Sequence, residues 1–281
     1  MYKTISINDI KKMIKKCISN NFLEFDTSPS YKKADKILLE FKKKNPKILI
    51  NTKCGWDLNM NRTYDIDEIK KSIENTLEKF GKINVLQLHN PRNEIKNWDL
   101  IIEMFNYYKK KRLINFSGIS LARNYYFSSK ILNSFDFIQD EFNLLRIDPI
   151  QKIRNYKNTL AARSVFANGI LTNGFKQKSI YQKNDHRNSW LKGKRKKNIF
   201  IQKKLLEEIS EDNISQFAMN FTMHYKLFDK FIFGFRTERQ FESFISNLKN
   251  IEPLSNKIIK KIIFLHQNNR FFLNKKLRYN N

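Results

Sequence analysis

The chain has 281 residues, of which 41% are hydrophobic and 14% are aromatic. This apolar content suffices for one large domain or two ordinary ones, and it excludes a chain that is disordered throughout. No stretch approaches the roughly 20 consecutive apolar residues of a membrane span, and the N-terminus lacks the apolar segment of a signal peptide. We therefore expect a soluble, cytoplasmic protein without a membrane span.

The 54 Lys and Arg residues against 27 Asp and Glu residues give a net charge of +27. The basic residues are spread from Lys3 to Arg278 and accompany an excess of Asn, Ile, Phe and Tyr, which is typical of a chain from an A+T-rich genome. No nucleic-acid recognition motif accompanies them, so we interpret the charge as compositional and expect no nucleic-acid partner. The densest basic cluster, Lys192–Lys197, is either a solvated loop or a site for a phosphorylated ligand or RNA.

The two cysteines, Cys17 and Cys54, follow no metal-ligand spacing, so we predict no metal site. They fit a reducing compartment, although one possible pair leaves a disulfide open.

Short apolar segments alternate along the chain with longer stretches of helical period, a pattern that predicts βα units and a parallel sheet. The helical stretches in the first part of the chain are Asp9–Ile18, with Asn8 or Ser6 as its cap, then Asp67–Phe80 and Asp99–Arg112. The predicted strands are Phe22–Phe25, Ile48–Asn51, Val85–Leu88, Phe116–Ile119, Phe137–Gln139, Leu160–Ser164 and Phe231–Phe233.

No Pro-rich or Gly-rich linker and no internal repeat divides the chain, so we expect a single domain over residues 1–281. Strands and helices that alternate over this length favour an α/β fold, the (β/α)8 TIM barrel. The functional site of such a barrel lies at the carboxyl ends of its strands.

Reactive side chains follow three successive predicted strands. They are Asp26 with Tyr31, then Lys53, then His89. A phenol is a poor acid at neutral pH, but a neighbouring ammonium lowers its pKa, and a carboxylate keeps a buried ammonium charged. A histidine can donate a hydrogen bond to a carbonyl and stabilise developing negative charge.

Each of these residues also has an ordinary interpretation. Asp26 could cap a loop, Tyr31 could be half-buried, Lys53 could lie at the surface, and His89 is one of four histidines. Their order and their common place at strand ends favour the chemical interpretation, which is reduction of a carbonyl by hydride transfer.

Several segments match the motifs of one family. Phe22–Tyr31 (FLEFDTSPSY) resembles "fDTAxxYG", Asn51–Cys54 resembles a "TK" strand, and Asn84–Pro91 resembles a strand with the pattern "D-hydrophobic-hydrophobic-xxHxP".

The later motifs follow in the same order. Gly118–Ser120 is similar to "GVS", Ile138–Asn143 to "vQxxyN" and Gly234–Gln240 to "GaRtxeQ". Arg163–Leu171 is close to the "RSvFlQGlL" of a bacterial branch associated with surface-polysaccharide or unusual-sugar pathways. From about Asp9 to Leu248, the chain thus resembles the aldo-keto reductase superfamily.

The resemblance implies a catalytic tetrad of Asp26, Tyr31, Lys53 and His89, with Tyr31 as the proton donor and NADPH as the hydride source. It implies further that Ser120 and Gln139 contact the nicotinamide carboxamide and that Ser164 contacts the pyrophosphate. For Gln139 and Ser164, ordinary hydrogen bonding at strand ends is the alternative.

The adenosine half of NADPH is implied to lie against a loop that contains Gly234, Arg236, Thr237 and Gln240. The permanent charge and forked donors of Arg236 suit a 2′-phosphate, which favours NADPH over NADH.

The chain departs from the family pattern in several places. The opening strand with its turn "lGxGtxxxG" is absent, so we expect the first strand to be short, as Tyr2–Ile5, or missing. Lys32 replaces the glycine after the tyrosine, Leu121 follows Ser120 where many members have Asn, and Phe244 replaces an Asn that often contacts adenine. A barrel that lacks a strand exposes two edges, which would favour an oligomer.

Two functions remain open from the sequence. The first is an NADPH-dependent oxidoreductase that reduces an aldehyde, a ketone or a sugar-derived carbonyl to an alcohol. The second is a degenerate, non-catalytic barrel that acts as a binding or partner subunit. The presence of all four residue types of the tetrad favours the first, and the missing opening strand favours the second.

Overall fold

A computed structural model of the chain describes residues 6–57, 59–92, 94–122, 127–152, 156–181, 185, 187–210 and 212–273. The strands within these ranges are β1 (Glu24–Asp26), β2 (Leu49–Cys54), β3 (Ile83–His89), β4 (Ile114–Ser120), β5 (Phe137–Glu141), β6 (Thr159–Arg163) and β7 (Lys230–Ile232). Each of the seven predicted strands overlaps one of them.

The helices alternate with the strands over most of the chain. They are α1 (Ile7–Ser19), α2 (Lys32–Lys44), α3 (Ile66–Phe80), α4 (Trp98–Lys110), α5 (Ser129–Leu132), α6 (Pro149–Lys152), α7 (Arg187–Trp190), α8 (Gly193–Glu207), α9 (Ile214–His224), α10 (Glu238–Lys249), α11 (Asn256–Asn268) and α12 (Arg270–Leu273). Short 3-10 turns cover Pro29–Tyr31 and Ala167–Gly169. None of the described helices is both long enough and apolar enough to cross a membrane.

The strands form one parallel sheet in the order of the sequence, from β1 to β7. Because helices cover a parallel sheet, its central strands are buried on both faces, which explains why they appear in the sequence as short apolar runs. The prediction of a (β/α)8 barrel is confirmed. All strand carboxyl ends lie at one rim, and this rim carries the predicted site residues.

Of the two residues predicted to cap the first helix, Ser6 is the N-cap in the structure. Ser6 caps α1, since its hydroxyl accepts a hydrogen bond from the backbone of Asp9 while the Asp9 carboxylate accepts from the backbone of Ser6. The other candidate, Asn8, lies inside the helix.

A chain of polar side chains joins the strands near their amino ends. The Asn115 amide donates to Asn84, Asn84 donates to Asn51, and Asn51 donates to the carboxylate of Glu24 at 2.7 Å. Lys230 of β7 completes the chain with an ion pair to Glu24 at 2.5 Å. Because β1 and β7 share no backbone pairing among the described residues, this ion pair bridges the two ends of the sheet.

The helices outside the barrel also meet at the seam, which is the place where β1 and β7 lie next to each other without backbone pairing among the described residues. Lys16 of α1 forms ion pairs with Glu238 and Glu242 of α10. The ring of Phe22 contacts the rings of Phe241 and Phe244 at centroid distances of 6.1 and 5.9 Å. The predicted opening strand, Tyr2–Ile5, lies outside the described residues.

Two residues that depart from the family pattern, and the basic cluster, have clear places in the fold. Phe244 is buried in a group of aromatic rings with Phe233 and Phe235, so packing accounts for this side chain. Leu121 is buried in the main hydrophobic core. Most of the basic cluster Lys192–Lys197 forms the first turn of α8, so the interpretation as a loop was wrong.

Candidate active site

The four residues of the expected tetrad follow the carboxyl ends of three neighbouring strands. Asp26 ends β1, Lys53 lies one residue before the end of β2, and His89 ends β3. Tyr31 ends the 3-10 turn that follows β1, and this turn packs against β2. The parallel sheet therefore brings the residues to one rim.

Lys53 is almost completely buried, with 3% of its surface exposed. Its ammonium forms an ion pair with Oδ1 of Asp26 and donates a second hydrogen bond to the backbone carbonyl of Thr27 at 2.9 Å. A buried ammonium needs such partners, because desolvation otherwise strongly disfavours its charge. The two residues lie together, as the sequence analysis expected.

The second carboxylate oxygen of Asp26 accepts two amide hydrogen bonds. Gln87 donates to Oδ2 at 3.0 Å, and Gln139 donates to it at 2.9 Å. The hydroxyl of Ser120 donates in turn to Oε1 of Gln139 at 3.1 Å. The two residues expected at the nicotinamide are thus connected by hydrogen bonds to the tetrad.

His89 is held in one neutral form. The indole N–H of Trp56 donates to Nδ1 of His89 at 2.9 Å, which leaves the ring proton on Nε2. Burial lowers the pKa of His89 to about 3, and the nearby cations Lys53, Arg62 and Arg163 act in the same direction. At neutral pH the imidazole is therefore uncharged, with Nε2–H as its donor.

Arg62 fixes the loop around this pair. Its guanidinium lies over the Trp56 ring, 4.9 Å from the centroid, and donates to the backbone carbonyls of His89 and Asn90 at 3.2 and 2.6 Å. The hydroxyl of Tyr64 also donates to the Asn90 carbonyl. These contacts hold Trp56 and the end of β3 in a fixed relation.

The pKa of Tyr31 is shifted in the direction opposite to the one expected from the sequence. Burial raises the pKa of its phenol, and the Asp26 carboxylate raises it further, while Arg163 lowers it. The side chain is still 53% exposed, and its hydroxyl makes no hydrogen bond within the described part of the chain. We expected Lys53 to lower this pKa, but in the structure the cation that lowers it is Arg163, and partial burial of the phenol is the larger effect.

Ser164 follows β6 in an unusual backbone conformation. Its φ of 59° is in the left-handed region, and its carbonyl accepts hydrogen bonds from the Asn143 amide and from the backbone of Ala167. The Ser164 hydroxyl has no partner among the described residues. It is thus available to a ligand at the rim.

The loop after β7 is ordered by its own side chains. The Thr237 hydroxyl caps α10 by accepting from the backbone of Gln240, and the Gln240 side chain accepts from the backbone of Arg236 at 2.7 Å. Arg236 also lies 3.6 Å from the carboxylate of Asp185. Gly234 has open space around the position of a Cβ, so packing does not require glycine there.

Two residues of this site were missed by the sequence analysis. Gln87 lies two positions before His89, so the alternation of a strand places both side chains on the same face. That spacing was a usable signal, because Gln87 is a polar residue within an apolar run. Trp56 lies in a loop, where no periodicity reveals its partner.

Comparison with known families identifies the chain. The sequence model of the aldo/keto reductase family matches residues 2–263, and the chain belongs to that family. No curated protein matches the chain.

Solved aldo-keto reductases share the fold. The glycerol dehydrogenase AKR11B4 from Gluconobacter oxydans is 17% identical, with a TM-score of 0.74 over 92% of this chain and 85% of that one. The holo form of AKR11C1 from Bacillus halodurans is 17% identical, with a TM-score of 0.75 over 94% of this chain and 89% of that one. Its apo form gives a TM-score of 0.68 at 16% identity, over 93% of this chain and 88% of that one.

The low pKa of His89 predicts an acid-sensitive fold. The unfolded chain takes up a proton near pH 6.5 and the folded chain only near pH 3, so between these values the free energy of unfolding falls as the pH falls. Between pH 7 and pH 4, we expect the free energy of unfolding to fall by about 3 kcal/mol more in the wild type than in His89→Gln. Urea denaturation at both pH values measures this difference, and equal losses would contradict the assignment.

The Trp56 hydrogen bond predicts a tautomer change. Trp56→Phe keeps an aromatic ring but removes the indole N–H, so we expect part of the His89 population to move its proton to Nδ1. Nitrogen NMR of the imidazole measures the two forms. Trp98→Phe, on α4, is the matched control and should leave His89 unchanged. An unchanged Nε2–H form in Trp56→Phe would refute the role of Trp56.

Proposed function

We propose that the chain is an NADPH-dependent oxidoreductase that reduces an aldehyde, a ketone or a sugar-derived carbonyl to an alcohol, with Tyr31 as the proton donor. The observation that carries the proposal is the buried ion pair of Lys53 and Asp26 next to a neutral His89 at the barrel rim. A family of carbonyl reductases and a rim with these groups support the same chemistry.

His89 would orient the substrate. Its Nε2–H has no partner among the described residues, so it can donate a hydrogen bond to a carbonyl oxygen. This donor withdraws electron density from the carbonyl and stabilises the negative charge that develops on its oxygen. Because Trp56 holds the other nitrogen, the donor needs no rearrangement before the reaction.

Tyr31 would deliver the proton to the same oxygen. A phenol is protonated at neutral pH, which is the state that a proton donor requires, although its raised pKa makes the free phenol a weaker acid. The charge of Lys53 can stabilise the phenolate that remains after transfer, and Asp26 keeps that charge in place. The half-exposed position of Tyr31 leaves its hydroxyl accessible to a substrate.

The donor set at the rim fits a nicotinamide dinucleotide. The Ser120 hydroxyl and the Gln139 amide provide the donors and acceptors that a carboxamide requires, and the Ser164 hydroxyl is available for a phosphate. When bound, the cofactor supplies the hydride that adds to the carbonyl carbon. Thr237 and Gln240 order the loop, with Gly234 and Arg236, that would hold the adenosine half.

A second candidate function is a non-catalytic barrel that binds a ligand or partner. One observation favours it, namely that the Tyr31 hydroxyl has no hydrogen bond to Lys53. The glycerol dehydrogenase among the structural neighbours favours catalysis instead, since its name specifies interconversion of an alcohol and a carbonyl compound.

The proton donor gives the main test. We expect Tyr31→Phe to lose most of its turnover, at least a hundredfold, while its affinity for NADPH stays nearly unchanged. The assays are NADPH oxidation, followed by absorbance with a panel of aldehydes, ketones and keto sugars, and fluorescence titration with NADPH. Tyr107→Phe, an exposed tyrosine on α4, is the matched control. Full activity of Tyr31→Phe would exclude the proposed role, and a wild type that neither binds NADPH nor reduces a substrate would favour the non-catalytic barrel.

Cofactor choice gives a separate test. If Arg236 contacts the 2′-phosphate, Arg236→Leu should weaken NADPH binding by roughly 1.5 to 3 kcal/mol and leave NADH binding nearly unchanged. Fluorescence titration of the wild type and the variant with both nucleotides measures the effect. Arg239→Leu, an exposed neighbour on α10, is the control. Equal affinity of the wild type for NADPH and NADH would refute the assignment.

A further inference from the structure

Gln87 lies in the interior of the barrel, level with the tetrad. In the sheet register, Gln87 of β3 is paired with Lys53 of β2 on one side and with Gly118 of β4 on the other. The side chain of Gln87 has no exposed surface. A glutamine in this position needs a specific partner, because an amide buried without hydrogen bonds is unfavourable.

Asp26 is that partner, and it is shared. Gln87 and Gln139 both donate to Oδ2 of Asp26, while Lys53 occupies Oδ1. The carboxylate therefore accepts from three donors of three different strands. Hydrogen bonds to a charged acceptor are stronger than bonds between neutral groups, so each of these donors helps to hold the carboxylate in place.

The neighbouring strand is adapted to this contact. A Cβ at Gly118 would lie 2.8 Å from Cγ of Gln87 and 3.2 Å from a methyl group of Val85. The absence of a side chain at Gly118 thus provides the space through which Gln87 reaches Asp26.

The other end of the amide is not satisfied. Oε1 of Gln87 is buried and has no hydrogen-bond partner among the described residues. A buried acceptor without a partner is destabilising, and an apolar residue of the same shape would remove it. The bond to Asp26 is therefore the reason for an amide at this position, since packing alone would favour Met or Leu.

The amides of Gln87 and Gln139 differ in their other hydrogen-bond partners. Gln139 is linked to Ser120, and the resemblance assigns both to the nicotinamide carboxamide. A ligand that takes over the N–H with which Gln139 donates to Asp26 would remove this amide from the carboxylate. Gln87, which is completely buried, has no such second partner and remains on the carboxylate.

We propose that Gln87 is a positioning residue that holds Asp26, and through it Lys53, when Gln139 engages the cofactor. The inference rests on the proposed function for the part that concerns the cofactor. It assigns Gln87 no contact with the substrate, so its effects should appear in cofactor binding and turnover and not in substrate affinity.

Gln87→Met tests the proposal, because methionine has nearly the same length and lacks the N–H donor. In this variant Asp26 depends on Gln139 alone, so releasing Gln139 to NADPH becomes more costly. We expect NADPH to bind roughly tenfold more weakly by fluorescence titration, as for the loss of about one charge-assisted hydrogen bond. We expect kcat to fall with little change in KM for the carbonyl substrate. Gln202→Met, a buried glutamine on α8 that donates to the Phe271 carbonyl, should leave all these values unchanged.

A double-mutant cycle separates this role from packing. In a Gln139→Met background, the competition for Gln139 no longer exists, so Gln87→Met should change the affinity for NADPH by less than twofold. An equal weakening in both backgrounds would overturn the proposal, and so would an unchanged affinity in the single variant.

The contact with Asp26 can also be tested without cofactor. Gln87→Met should lower the urea midpoint of the wild type but not that of Asp26→Leu, in which the acceptor is absent. If the wild type fails to bind NADPH, the proposed function is wrong, and this comparison decides alone whether Gln87 holds Asp26. Equal lowering in both backgrounds, or none in the wild type, would refute the positioning role.

Discussion

A buried ammonium group must have a negative partner, and the organisation of this barrel rim follows from that requirement at Lys53. Lys53 has 3% of its surface exposed, and its ammonium is paired with Asp26 of the adjacent strand and with the carbonyl of Thr27. The carboxylate in turn requires donors, which Gln87 and Gln139 provide. The charge of Lys53 on β2 thus accounts for polar residues on three other strands, β1, β3 and β5.

The same requirement connects the two halves of the site. Ser120 and Gln139, which would contact a nicotinamide, are joined through Asp26 to Lys53, the residue that would assist the proton donor. Loss of a hydrogen bond at one end of this hydrogen-bonded series changes which donors remain for the carboxylate of Asp26. His89 is organised separately, by Trp56 and Arg62 in a loop that contacts the end of β3. Under the proposed function, binding of a cofactor and orientation of a carbonyl would thus depend on different groups of residues.

The sequence predicted the strands and the positions of the candidate tetrad at strand ends, because both depend on local patterns. A buried parallel strand is an apolar run, and residues such as Asp26, Lys53 and His89 follow these runs directly. It did not predict the partners of Trp56 or Gln87, because side-chain contacts across strands and loops depend on register and rotamer. It also gave the wrong direction for the pKa of Tyr31, since desolvation depends on the neighbouring chain and not on residue spacing.

The ion pair of Glu24 and Lys230 has a consequence for the order of assembly. Every backbone pairing within the described sheet joins strands that are consecutive in the chain, so each can form soon after its second strand is synthesised. The contact of Glu24 with Lys230 instead spans 206 positions. Closing so long a loop costs more entropy than pairing two consecutive strands, and the earlier pairings must offset that cost. Until β7 is synthesised, the carboxylate of Glu24 in β1 therefore has no Lys230 ammonium to pair with.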